Sequence, residues 1–468
     1  MTALSRIDHF VVLMLENRSF DNLFGWLYPK SEHFDGLTGH ERIPDGQNGL
    51  VQVWHASGDA QDMRLPTPDP GELFTDMNQQ LFGSAPVTGV PPMNGFAVNY
   101  VSHGGKPRDI MHSFTPDQMP ALVALARSYA VCDRWHAAAP CQTWPNRFFL
   151  HTGTANGYEN NSPTHFPYLM DTIFNRLADK APAGWKIYFH DFPQSLTLTK
   201  LWDFVDRFKP IDDFLSDCSN GTLPSYAFIE PRFFANTDWP NDMHPPHNVI
   251  YGDRLVAKIY EALRASACWP STLLVILFDE HGGCFDHVPP PSAVPPEPPR
   301  DGQVFAFDRF GVRVPAVVVS PWIRAGTVFR STGLQPFDHT AISKTLRRRF
   351  AIDEPLSARE AGAPDLEAVL NLDAISDEGR LNVVPLSPPP EDDAAALARA
   401  RLAPPNDLQQ VLLEAAGYLA PLTQPGSIIN HVEAIVRGWR PAQTLVQSVE
   451  QAAAEVERVM AALKQTRS

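Results

Sequence analysis

The sequence predicts an α/β protein: an α/β/α sandwich on a mainly parallel central sheet, followed by a C-terminal helical extension. Three observations carry this. Several β-rich apolar runs lack the alternation of a half-exposed strand, so they read as strands buried on both faces. Amphipathic helical patterns lie between and after those runs. With 468 residues and 44% hydrophobic content, the chain can bury a large core.

The first run, "HFVVLML" (9–15), stops abruptly on Glu16 and Asn17, with Arg18 and Asp21 close behind. Arg18 and Asp21 are expected to brace this turn. Residues 29–109 are rich in Pro, Gly and polar side chains, and a loop of that length in a compact enzyme is functional or lid-like. "PALVALARSYA" (120–130) is the first helical pattern. In "YGDRLVAKIYEALRAS" (251–266), Leu255, Val256, Ile259, Tyr260 and Leu263 share one face. "STLLVILF" (271–278) is the second strand and runs into Asp279 and Glu280. A second loop spans 288–303, "VPAVVVS" (314–320) is the third strand, and "HTAISKTLRRRF" (339–350) is the third helix.

After about residue 350 the character changes. The reading divides the chain into a catalytic domain (1–380), a Pro-rich linker (381–404) around "PLSPPPEDD", and a helical region (405–468). Leu445, Val449, Ala452, Val456, Val459 and Leu463 alternate spacings of four and three, as on a coiled-coil seam. Such a helix packs either on its own core or on a second copy, giving a homo-oligomer.

The net charge of −15 argues against a general nucleic-acid binder but permits anionic substrates where a metal ion reverses the local field. Five cysteines without a CxxC spacing argue against a disulfide framework or a cysteine zinc site. The start, "MTALSRIDHFVVLMLEN", lacks a basic segment, an apolar segment and a cleavage site in sequence, and no run of 18 apolar residues occurs. A cytoplasmic protein is the expectation.

Two strands ending on oxygen donors suggest a metal site. In open α/β sheets ligands bind beyond the strands' carboxyl ends. Glu16, Asn17, Asp279 and Glu280 would meet there, and three carboxylates without a cation would repel. One divalent ion removes that conflict: Ca, Mg or Mn for an oxygen set, Zn if a nitrogen joins. In "CQTWPNRFFLHTG" (141–153), Pro145 can hold a strained, exposed turn that points the Thr143 hydroxyl into the crevice, where metal contact would make it a nucleophile. Asn146 and Arg147 offer donors to an anionic substrate. "DMHPPH" supplies His244 and His247; His190 follows "WKIYF", and His112 lies in "IMHSF". A histidine can donate to a phosphoryl oxygen or protonate a leaving group.

Together, "ENRSFDNLFG", "TWPNR", "HPPHNVIYGDRLVAKIYEAL" and "DEHGGCFDHVPPP" resemble the phosphoesterase family over roughly residues 5–350. That family includes non-specific phospholipases C of bacteria and plants and the acid phosphatase A group. The resemblance implies an alkaline phosphatase-like sandwich and a phosphoenzyme mechanism. It implies that Glu16, Asn17, Asp279 and Glu280 hold the metal, and that Thr143 is the nucleophile and touches it. It places His112, His190 and His244 around the phosphate. The expected reaction is hydrolysis of phosphodiesters such as phosphatidylcholine at a membrane surface, through a phosphothreonine. The threonine resembles the phospholipase C branch, since the acid phosphatase A group carries serine; a phosphomonoesterase is the alternative. A sulfatase needs the Cys of C-x-P-x-R where this chain has Thr143, and Cys141 is out of register.

Overall fold

The apolar run His9–Leu15 forms β1, at the centre of an eight-stranded sheet in the computed structural model, which describes residues 2–55, 62–388, 393–423, 428–442 and 444–467. A two-stranded ribbon follows, β2 (Arg42–Pro44) with β3 (Leu50–Gln52). The remaining strands of the main sheet are β4 (Ala130–Cys132), β5 (Trp185–Phe189), β6 (Phe208–Pro210), β7 (Tyr226–Glu230), β8 (Thr272–Phe278), β9 (Ala316–Val319) and β10 (Thr327–Phe329). Their order is β10-β4-β9-β8-β1-β7-β5-β6.

Within the main sheet every pairing is parallel except those of β9, which runs antiparallel to both β8 and β4. β1 and β8 are buried along nearly their whole length, which is why their sequences do not alternate. The register pairs Leu15 with Phe278. Glu16 and Asp279 therefore leave adjacent parallel strands at the same level. β7, on the other side of β1, ends there too, on the buried Glu230.

The helices form two groups. Val249–Ala265 packs on Pro120–Ser128 and Ile211–Asn220, whereas Thr340–Arg349 packs on Thr143–Thr152 and Ile173–Leu177. All five cysteines are buried and unpaired. Among the described residues, no helix is long and apolar enough to cross a membrane.

The C-terminal region docks on this body. A helix, Asp393–Leu402, lies inside the stretch read as linker, and residues 389–392 of that stretch fall outside the described ones. Tyr418 stacks on Phe166 at 4.3 Å, and Gln409 donates to the Phe233 carbonyl at 2.7 Å. Of the two readings of the seam, the structure bears out packing on the chain's own core. Val449, Ala452, Val456, Val459 and Leu463 on the Val449–Arg467 helix are buried against the same chain; of the six seam residues only Leu445 is exposed.

A second ionic cluster fastens the turn after β1. Arg313, fully buried, donates to Asp21 at 2.8 Å and Asp286 at 2.9 Å; His287 pairs with Asp21 at 2.6 Å and Asp35 at 3.1 Å. Asp21, Asp286 and His287 have metal-ligand spacing, but the guanidinium already supplies the positive charge. Burial lowers the His287 pKa, yet Asp21 and Asp35 outweigh it and raise it to about 9. The unfolded imidazole titrates near ~6.5. Its contribution is therefore complete below about pH 6.5 and is lost as pH rises through 9. His287→Asn is expected to lose on the order of 3 kcal/mol near pH 6 and little near pH 10, read by urea unfolding.

Candidate active site

Glu16, Asn17, Thr143, Asp279 and Glu280 all lie within the protein, each essentially inaccessible to solvent. The backbone turns sharply to bring them together. Asn17 has φ 57°, a left-handed conformation that asparagine tolerates better than most residues. Its backbone N–H donates to Asp279 Oδ1 at 2.9 Å, as does that of Glu280 at 2.8 Å. Gly282 is required beside them: a Cβ there would lie 2.4 Å from the Asn17 carbonyl oxygen.

Thr143 opens the Thr143–Thr152 helix, with Pro145 in the first turn, where its missing N–H costs no helical bond. The strained, exposed turn expected there is a helix start instead. The threonine sits at the positive end of a helix dipole, which favours an anion. Its hydroxyl donates to Glu16 Oε2 at 3.4 Å, a long contact.

Under the carboxylates lies Arg147, almost fully buried. It is 2.7 Å from Glu16, 3.8 Å from Glu230 and 3.8 Å from Asp279. Gln194 adds a 2.6 Å hydrogen bond to Glu16. Burial pushes the Glu16 carboxyl up, but Arg147, Asp279, His244 and Gln194 together outweigh it and hold it below the ordinary range. Asp279 goes the other way, raised by burial and by the charge of Glu16. Buried His339, its pKa lowered to about 4 by burial, is neutral; it bonds the Asp279 carbonyl and accepts from Trp135 Nε1 at 3.3 Å.

The donor set fits a divalent cation. Asn17 Oδ1, Asp279 Oδ2 and Glu280 Oε1 are buried oxygens without a hydrogen-bond partner, and unsatisfied buried oxygens are costly. With Glu16 and the Thr143 hydroxyl they are hard oxygen donors of the kind that suits Ca, Mg or Mn, although among the described residues the nearby acids already at metal-ligand spacing are Asp69 and Glu72, with His244.

The other predicted residues fall in different places. His244 is buried, 3.5 Å from Glu72 and 3.7 Å from Asp69. Burial lowers its pKa, but Asp69, Asp242 and Glu16 outweigh that and raise it. His247 Nδ1 donates to Asp242 Oδ1 at 2.7 Å, next to the same loop. His112 packs edge-on to Trp54 at 5.0 Å and Phe114 at 4.7 Å, with both ring nitrogens unpartnered and its pKa lowered by burial to about 3. His190 lies in a separate cavity of about 410 Å3 with Arg232, Arg254 and Lys258. Its Nδ1 is 3.2 Å from the Glu230 carbonyl. Asn146 spends its amide on the backbone of the 139–142 loop, and Arg147 faces carboxylates rather than open space. Both therefore hold the loop and the ligands in position, where the sequence suggested direct substrate contact.

Four residues were not foreseen. Asp69 and Glu72 arrive from the Pro-rich loop, Glu72 accepting from the Asn17 side chain, and together with His244 they have metal-ligand spacing. Gln194 and Glu230 complete the packing around Arg147. The acids of "PDPGE" were the available signal. Nothing local marks Gln194.

The model of the phosphoesterase family matches residues 7–353. The chain belongs to the phosphoesterase family. Non-specific phospholipase C3 of Arabidopsis thaliana is 38% identical to it over 397 residues, 78% of this chain and 74% of that protein. Non-specific phospholipase C1 of the same plant is 37% identical, covering 77% and 70%. Phospholipase C B of Mycobacterium tuberculosis is 28% identical, covering 82% and 83%. A solved protein of the alkaline phosphatase superfamily from Vibrio parahaemolyticus is 13% identical with a TM-score of 0.33, over 53% of this chain and 63% of that one. As a phosphoesterase, the protein is a hydrolase acting on phosphoric ester bonds. The matched segment contains every buried residue of the oxygen cluster.

Proposed function

We propose that this phosphoesterase is a metal-dependent phospholipase C. It would cleave phosphodiesters such as phosphatidylcholine at a membrane surface through a phosphothreonine at Thr143. One observation carries the reading: a helix-start hydroxyl against Glu16, beside three buried oxygens that lack partners. Glu16, Asn17, Asp279, Glu280 and Thr143 would hold one divalent ion. That ion supplies charge neutralisation for the phosphoryl oxygens. The chain's residues do the rest. Thr143 Oγ attacks phosphorus and its proton passes to Glu16 Oε2, the carboxylate oxygen 3.4 Å away. The P–O bond to diacylglycerol breaks, and the leaving oxygen takes a proton from His244. Water then attacks phosphorus, cleaves the Thr143–phosphate bond and releases the phosphorylated head group. Arg147 and Gln194 keep Glu16 oriented throughout.

The test compares p-nitrophenylphosphorylcholine with p-nitrophenyl phosphate, before and after chelation. Turnover of the diester, lost with chelator and restored by one equivalent of a divalent ion, is expected. Turnover of the monoester alone would make the protein a phosphatase. Full activity after demonstrated metal removal would end the metal-dependent reading.

A further inference from the structure

The residue that follows Glu280 in the chain is a buried histidine. His281 is 1% exposed and packs edge-on to Phe96 at 6.0 Å. Its Nε2 lies 2.8 Å from Gln80 Oε1, and its Nδ1 lies 3.3 Å from Glu280 Oε2. Gln80 is buried too, on the Phe74–Phe82 helix that follows the Pro-rich loop. The hydrolysis steps use neither residue.

Which nitrogen of His281 carries a proton follows from a chain of hydrogen bonds that ends on a carboxylate. Asp76 Oδ2 accepts the Leu73 backbone N–H at 3.1 Å, and Asp76 Oδ1 accepts from Asn99 Nδ2 at 3.0 Å. Asn99 Nδ2 donates to Gln79 Oε1 as well, at 2.9 Å. The Asn99 amide is thereby oriented, and its Oδ1 faces Gln80. Gln80 Nε2 donates to Asn99 Oδ1 at 2.9 Å and to the Gly71 carbonyl at 2.7 Å. Both amide hydrogens of Gln80 are spent, so its Oε1 is an acceptor and His281 Nε2 must be the donor.

Nδ1 is then the ring atom beside Glu280, in contact with Oε2 but without hydrogen-bond geometry. Glu280 Oε2 also accepts the Gly282 backbone N–H at 2.7 Å. One carboxylate oxygen is held between a backbone donor and a locked ring, while Oε1 has no partner. Groups behind a metal ligand set its orientation and hence its affinity for the ion.

We propose that His281, anchored by Gln80, is a positioning residue for Glu280 that keeps Oε1 free for the divalent ion. The inference rests on the metal-dependent reading above. Gln80 is the place to test it. Methionine there removes the acceptor for His281. Glutamate keeps an oxygen facing the ring but not the amide that holds Gly71 and Asn99. The pair separates anchoring of His281 from support of the Pro-rich loop.

The test titrates the metal-free full chain with Mn(II), reading the free ion by electron paramagnetic resonance. Affinity should fall by roughly tenfold or more in Gln80→Met but by no more than about threefold in Gln80→Glu. Turnover of p-nitrophenylphosphorylcholine by Gln80→Met should return toward wild type at saturating ion, since occupancy alone has changed. A loss at every ion concentration would contradict the positioning role. Wild-type affinity in a folded Gln80→Met, or equal weakening in both variants, would overturn it. Wild type that takes up no Mn(II) would instead end the metal-dependent reading, and this inference with it. Should Gln80→Met fail to fold, NMR of isotope-labelled histidines in wild type decides, with the His281 signals assigned by their loss in His281→Phe. A proton on Nε2 is expected, and a ring protonated on Nδ1 alone would overturn the proposal.

Discussion

Thr143→Ala is expected to lower turnover by on the order of a thousandfold or more, while Thr143→Ser stays within about tenfold of wild type. The hydroxyl is the only nucleophilic group in contact with Glu16 among the described residues, and the serine variant preserves it. Structure should survive. Among the described residues, the side chain's only hydrogen bond is the long one to Glu16, so the alanine variant should unfold within about 4 °C of wild type. Steady-state kinetics and a thermal melt on the same preparations check both halves. Undiminished activity in Thr143→Ala would remove the assigned nucleophile.

Arg147→Met carries the second large effect, and it falls on stability first. The guanidinium sits among Glu16, Glu230 and Asp279 with almost no exposure. Removing one partner from a buried charge cluster leaves the others uncompensated, at a cost of about 3–5 kcal/mol. Urea unfolding at neutral pH should show that loss, and bound metal should weaken because Glu16 loses its orientation. An arginine that contacted substrate would behave otherwise: KM would rise and stability would hold. The two outcomes separate the substrate-binding role suggested by the sequence from the bracing role its surroundings indicate.

Much of the site was legible because strand burial leaves a strong signature. A strand buried on both faces must be apolar throughout, so polar residues at its end mark the sheet's carboxyl edge. Glu16, Asn17, Asp279 and Glu280 stand at such ends, and the β1–β8 register places the two pairs side by side. The short strands β4, β6 and β10, of three residues each, carry too little pattern to find. β9 was found, but its antiparallel direction was not, since direction depends on the route of the 279–315 segment rather than on local composition.

Loop residues were harder. Asp69 and Glu72 reach His244 only because a long Pro-rich segment folds back over the strand ends, and no periodicity encodes that path. Arg147 was read as a donor to substrate because "PNR" looks like an anion-binding turn; its true neighbours come from β1, β7 and β8, far away in sequence. The C-terminal seam left two alternatives open. A 3-4 repeat of apolar residues is the same whether the helix meets its own chain or a copy, and here it meets its own.

The central claim is a covalent phosphothreonine at Thr143. Metal-replete enzyme mixed with excess p-nitrophenylphosphorylcholine, quenched in acid within one turnover and digested, reports on it directly by tandem mass spectrometry. A phosphorylcholine adduct on the Thr143 peptide in wild type, and none in Thr143→Ala, is the expected result. Rapid turnover with an unmodified Thr143, or an adduct on another residue, would contradict it.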